Sequence, residues 1–324
     1  MNTMNCLKKE EMKRLYKKSA LVLSTVILLL LADNANAQQE PLYTQYMFNT
    51  VSVNPAYAGT RNAMNVLLLS RMQWTGMEGA PRTYDFTMHT PLNNYKMGLG
   101  LSVVSDNVGP VNNYYINVNY AYRVNLNEDL VLSMGIKGGI YNYAVNLTDI
   151  NVGENDMAFS DNVEQRFQPN AGLGLYMYSD KFYVGASVPK LIQTELSGEQ
   201  STAGSLSDLK QHFFLMGGYV FDINEDLKFK PSIITKMVQG APPSTDITAQ
   251  CLLKETYWLG ATYRIGDAVA LIGNIKLNKQ LMIGYSYDFT VSGLNNYNNG
   301  SHEIILSYDF DGFLKNKVKS PRYF

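Results

Sequence analysis

Beyond residue 37 this chain never strings together the roughly twenty apolar residues that a helix needs to cross a bilayer, yet segment after segment alternates apolar and polar with a period of two. Between Tyr114 and Val124, one set is Tyr114, Ile116, Val118, Tyr120, Tyr122 and Val124, and the other is Tyr115, Asn117, Asn119, Ala121 and Arg123. Near the end, Ile304, Leu306, Tyr308 and Phe310 alternate with Glu303, Ser307 and Asp309. Successive side chains of a strand point to opposite faces. Such segments therefore suit a wall with lipid outside and water or packed polar groups inside. An open sheet edge cannot face lipid, so the wall has to close. The pattern predicts an all-β fold, a transmembrane antiparallel up-and-down β-barrel. A soluble sandwich alternates too, but its exposed face is rarely this rich in Tyr and aliphatics.

Fourteen segments carry the pattern, at 62–74, 82–90, 96–105, 112–124, 129–144, 170–179, 182–188, 210–221, 227–238, 245–253, 257–265, 268–277, 281–289 and 301–310. An even count lets a single-chain barrel close with both termini on the periplasmic side. The connections give an independent check. Those after even strands are short: Pro91–Tyr95, Asn125–Glu128, Asp180–Lys181, Asp222–Asp226, Lys254–Thr256 and Asn278–Gln280. The longest, 145–169, 189–209 and 290–300, all follow odd strands. Short periplasmic turns and long outer loops are the habit of outer-membrane barrels. Tyr308-Asp309-Phe310 supplies the aromatic-ended final strand through which such barrels are commonly inserted.

The amino terminus reads as a secretory signal. Lys8, Lys9, Lys13, Arg14, Lys17 and Lys18 form a basic region, an apolar run of 13 residues follows from Ala20 to Ala32, and Ala35 and Ala37 supply small residues for cleavage after Ala37. That run is too short for a comfortable membrane anchor. The expected organisation is a signal peptide (1–37), an amino-terminal periplasmic or plug segment (38–60), the outer-membrane barrel (61–310) and a periplasmic tail (311–324). Six basic and three acidic residues leave with the signal, so of the 27 and 28 in the whole chain 21 and 25 remain, net −4. That is no nucleic-acid footprint. One cysteine stays, Cys251, which excludes a disulfide framework and a cysteine metal site.

The search for chemistry returns little. Parity puts Arg71, Asp85 and His89 on inward faces of the first two strands, where they form a candidate polar cluster in the lumen; a hydrogen-bond network filling the interior explains it without catalysis. Lys228, Lys230, Lys236, Lys276, Asp288, Glu303 and Asp309 are also expected inward, able either to line a channel or to lock a filled lumen. Gly98-Leu99-Gly100 and Gly172-Leu173-Gly174 lie within strands and open no helix, so they read as close packing and not as phosphate loops. No catalytic residue, metal site or cofactor is expected, and His212 and His302 have no partner visible in the sequence.

Ahead of the first strand stand Gln45-Tyr46-Met47-Phe48-Asn49 and Val53-Asn54-Pro55-Ala56-Tyr57-Ala58-Gly59. Asn54-Pro55 is a turn or extended element and Gly59 relieves a tight bend. Tyr46, Phe48, Asn54, Pro55, Tyr57 and Gly59 are the candidate partner-binding or plug residues, and the aromatics can stop the periplasmic end of the lumen. These pieces are followed in order by Arg71-Met72-Gln73-Trp74, Gly79-Ala80-Pro81-Arg82-Thr83, Ser105-Asp106-Asn107-Val108-Gly109-Pro110 and Ser179-Asp180-Lys181-Phe182-Tyr183-Val184-Gly185. Ile283-Gly284-Tyr285-Ser286-Tyr287-Asp288-Phe289 and Gly300-Ser301-His302-Glu303-Ile304 close the set. Taken together they resemble the PorP/SprF family of Bacteroidetes outer-membrane proteins. The resemblance implies a non-enzymatic component of type IX secretion and gliding machinery, integral to the outer membrane. It would dock a periplasmic ring lipoprotein or a peptidoglycan-binding protein, or support export and attachment of a secreted protein with a carboxy-terminal sorting domain. The other reading of the strands alone is a porin or small-solute transporter.

Overall fold

A computed structural model describes residues 40–61, 63–92, 95–146, 162–192, 195–196, 207–208 and 210–310. The signal peptide with its cleavage after Ala37 and the tail from Asp311 to Phe324 lie outside them. Among the described residues fourteen antiparallel strands close into one barrel. They are β1 (Met64–Met72), β2 (Arg82–Pro91), β3 (Met97–Val108), β4 (Val111–Asn125), β5 (Val131–Val145), β6 (Val163–Tyr178) and β7 (Phe182–Val188). The second half holds β8 (His212–Tyr219, continued by Phe221–Asp222), β9 (Leu227–Val238), β10 (Ser244–Leu253), β11 (Tyr257–Arg264), β12 (Ala268–Lys276), β13 (Leu281–Thr290) and β14 (Ser301–Phe310). Each strand pairs with its neighbours in sequence, and β1 closes on β14 with Met64 opposite Phe310 and Met72 opposite His302.

The predicted strands are there, with two corrections. Strand six starts at Val163, not at 170, so the connection expected over 145–169 shrinks to 146–162, most of it outside the described residues. Strands three and four extend to a two-residue turn at Gly109-Pro110. The added residues of β3 include Asp106 and Asn107, whose polarity hid the alternation: inward Asp106 accepts from Thr83 Oγ1 at 2.6 Å. β4, β5 and β6 therefore run to 15, 15 and 16 residues, whereas β10 to β14 have 8–10.

The outside is apolar. Leu68, Ile116, Ile136, Leu215, Leu271 and Leu306 all point away from the lumen and are exposed. Tyr84, Tyr114, Tyr263 and Phe289 ring one end, and Tyr122, Tyr219, Tyr257 and Phe310 the other. Two aromatic girdles around an aliphatic band mark a lipid-facing barrel. At the rim where the chain enters and leaves the wall, three turns share one device. The Oδ1 atoms of Asn127, Asn224 and Asn278 each accept from backbone N–H groups two or three residues on, the local bonding that makes Asn a turn residue. Short turns place this rim on the periplasmic side.

Candidate functional site

Among the described residues the lumen is occupied. Residues 40–61 form a strap that runs through it, with a single helical turn α1 (Thr50–Val53) and a 3-10 turn at Pro55–Tyr57. Tyr46, Met47, Phe48, Val51, Val53, Ala56 and Tyr57 are buried against wall residues such as Leu67, Leu69, Tyr176, Phe214, Trp258 and Ile305. Phe48 meets Trp258 edge-on at 6.1 Å, and Tyr57 meets Tyr176 at 5.4 Å and His89 at 5.5 Å. Burying a side chain of this size contributes roughly 1.5–3 kcal/mol, so the barrel has a hydrophobic core of the kind a soluble domain has. Of the two alternatives for this segment, periplasm or lumen, residues 40–61 take the lumen. They fill its length, well beyond the periplasmic end.

Strap backbone polar groups buried away from water need partners, and the wall supplies them. Glu303 accepts from the N–H groups of Thr44 (2.9 Å) and Gln45 (2.8 Å). Lys137 Nζ donates to the carbonyl of Ser52 at 2.8 Å, Ser187 Oγ to that of Val53 at 2.9 Å, and Ser133 Oγ to that of Ala56 at 2.7 Å. Arg123 donates to the carbonyl of Gly59. Close approach is made possible by missing side chains: a Cβ at Gly98 would fall on the Ala58 carbonyl, at Gly135 on the Ala56 nitrogen, and at Gly174 on the Asn54 side chain. Gly59 itself has φ +69° and lies against Gly98 and Pro91, a backbone shape and a clearance that other residues lack. Of the strand glycines read in the sequence as close packing, Gly98, Gly100 and Gly174 line the path of the strap, and Gly172 lies against Pro189.

Arg71, Asp85 and His89 all point inward and are about 2 % exposed, but they do not bond one another. Each grips a different part of the strap. Arg71 pairs with Asp288 (2.8 Å) and Glu303 (3.1 Å) and donates to Thr44 Oγ1 at 2.8 Å. Asp85 accepts from Asn49 Nδ2 at 2.7 Å and Ser52 Oγ at 2.6 Å. His89 Nδ1 accepts from the N–H of Gly59 at 3.1 Å, which fixes the proton on the other ring nitrogen. All three lie on the paired β1 and β2 and face the strap, whose residues parity could not name as their partners.

The remaining predicted residues sort likewise. Tyr46 donates to Ser232 Oγ at 3.2 Å. Asn54 Nδ2 donates to the carbonyls of Leu175 (2.9 Å) and Ala186 (3.4 Å), while its Oδ1 accepts from Ala56 N, the step that starts the 3-10 turn at Pro55. Asn54→Ala removes all three bonds and is expected to cost about 1–3 kcal/mol, read as a lower urea midpoint of the purified barrel. Lys230 sits over the Trp258 ring at 4.4 Å and Lys236 donates to the Glu40 carbonyl at 2.8 Å. Lys228 pairs with Asp222, Asp309 pairs with Arg61, and Lys276 is inward near the same rim. His212 is buried with Nδ1 on the Lys210 carbonyl, and His302, turned outward, shares a 2.7 Å bond with Tyr285.

Asp246, Arg264 and Glu40 are among the residues that escaped the sequence reading. Asp246 and Arg264 face each other across β10 and β11 in a buried pair at 2.8 Å, which inward parity on both strands would have found. Glu40 had no such signal, since it precedes every strand. Its carboxylate meets Lys190 Nζ at 2.6 Å. Burial alone would raise its pKa; Lys190, His212 and Lys236 together overcome that and hold it down to about 2, against an ordinary 4.5. Among the described residues no group of three His, Cys, Asp or Glu side chains could hold a metal.

Solved structures with a related outline include the CymD monoaromatic hydrocarbon channel (12 % identity, 83 % of this chain and 93 % of that one, TM-score 0.49). The P. putida toluene transporter TodX (12 %, 81 % and 94 %, 0.46) and a Pseudomonas aeruginosa FadL homologue (12 %, 81 % and 94 %, 0.43) are others. Overlaps this low carry no statement about what this chain binds. No curated protein matches in sequence. The family model described as type IX secretion system membrane protein PorP/SprF matches residues 35–308, nearly all of the strap and barrel. The ordered segments from Tyr43 to Ile304 lie inside that match, and the chain belongs to the PorP/SprF family, as an integral protein of the outer membrane.

Proposed function

We propose that the protein is a non-enzymatic docking component of type IX secretion. It holds periplasmic partners of the machinery, a ring lipoprotein or a peptidoglycan-binding protein, or supports export and surface attachment of a protein with a carboxy-terminal sorting domain. The filled lumen carries this reading. A diffusion channel keeps a wet path, whereas here a strap with its own apolar core occupies the interior, leaving the rims and the surface to do the work. In the same reading residues 1–37 are a signal removed after Ala37, and the tail from Asp311 lies in the periplasm, where its lysines meet solvent or a partner.

The test is removal of the gene, followed by comparison of the secreted and surface-attached proteins with those of the parent strain. Loss of at least one sorting-domain protein from the surface is expected. Unchanged secretion and attachment of every such protein would sink the proposal. Purified barrel in planar bilayers separates the transporter alternative: a silent membrane supports docking, and stable conductance steps support transport.

A further inference from the structure

We infer that the mature chain begins at the cell-surface mouth of the barrel, its amino terminus carried there by the strap. The inference rests on the order in which the strap meets the wall. Gly59 bonds His89, two residues from the periplasmic end of β2, and packs on Gly98, the second residue of β3. Ala56 meets Ser133 and Gly135, near the start of β5. Ser52 is already six residues up the wall, at Asp85 of β2 and Lys137 of β5. Thr44 and Gln45 sit on Glu303, the third residue of β14 counted from the opposite rim. Glu40 reaches Lys190, two residues past the outer end of β7, and Lys236, two residues before the outer end of β9. Contacts thus rise along the wall as the residue number falls, steeply from Gly59 to Ser52 and slowly from there to Glu40, with Tyr43 still beside the Asp85 that Ser52 bonds.

The chain therefore crosses the membrane once inside the barrel before β1 begins. A terminus created after Ala37 has two residues, Gln38 and Gln39, left beyond Glu40, and at the 3.3–3.6 Å that one extended residue spans it cannot return to the periplasm. The Glu40 latch holds this last stretch at the outer mouth.

Accessibility of single cysteines in intact cells decides it. In a Cys251→Ala background, Gln39→Cys, Asn296→Cys in the β13–β14 connection and Lys279→Cys in the β12–β13 turn are each treated with a membrane-impermeant maleimide. The mass of the purified chain is measured alongside. Gln39→Cys is expected to label in intact cells as fully as Asn296→Cys, while Lys279→Cys labels only after the cells are broken. Labelling of Gln39→Cys only after breakage overturns the inference, and labelling of Lys279→Cys in intact cells overturns it by inverting the barrel. A mass that retains residues 1–37 also overturns it, and separates failure of the cleavage reading from failure of the path. A short epitope inserted between Gln38 and Gln39, read by antibody on intact cells, gives the same answer should the cysteine variant not assemble.

Discussion

Arg71→Ala is expected to destabilise the barrel by about 3–5 kcal/mol, the cost of leaving buried charges without their partner. The guanidinium is the one group that touches Asp288, Glu303 and Thr44 together. Without it, among the described residues, Glu303 has no other cation in ion-pair contact and Asp288 keeps only Arg264, at 3.5 Å, and Glu303 is also the acceptor that seats Thr44 and Gln45. Urea unfolding of the purified protein in detergent, followed by tryptophan fluorescence, measures the loss. A midpoint equal to the parent's would show that the cluster is not holding the strap. Removing the charges as a set (Arg71→Met, Asp288→Asn, Glu303→Gln) is expected to recover much of the loss, because breaking a buried ion cluster costs more than replacing it.

How much of this was open to sequence reading depended on whether a residue's place was set by period two. Arg71, Asp85, His89, Asp288 and Glu303 were all placed inward from parity alone, and inward they are. What each bonds was not legible. Arg71 and Glu303 are 232 residues apart and become neighbours only when β1 closes on β14. The strap is harder still. It has no repeating pattern, its buried Tyr46, Phe48 and Tyr57 look like those of any loop that covers a core, and nothing local says that it climbs the lumen. The glycines gave a partial hint. Gly98, Gly135 and Gly174 sit at inward positions where a lipid-facing wall has no need of them, which is a sign that backbone comes close on the inside.

Gly135→Val is expected to expel the strap while leaving the wall intact. Valine suits a strand, so β5 loses nothing by it. The new Cβ would fall on the Ala56 backbone, which cannot rotate aside as a flexible side chain can. Overpacking of this kind costs about 1–3 kcal/mol or more, and the strap is the only element able to yield without breaking the barrel. Two readouts check it. Trp258 loses its edge contact with Phe48, and its fluorescence moves to that of a wetter site. A barrel silent in planar bilayers acquires conductance steps. A folded variant with parental fluorescence and no conductance would show that the strap stays seated despite the added side chain, and would refute the glycine path as its constraint.

The unequal strands have a consequence for approach. A tilted strand needs about 9–11 residues to cross the bilayer, so β4 and β5 carry about four to six to spare on the outer side and β6 one more. At about 3.4 Å per residue along a tilted strand, that lifts this arc of the wall roughly 10–15 Å above the lipid, while the arc from β10 to β14 stops near the surface. Among the described residues the strand ends therefore form a notch with a high back and a low sill. For a large molecule arriving at the Glu40 end of the strap, the described strands stand lowest along β10 to β14, so that side offers the shorter approach.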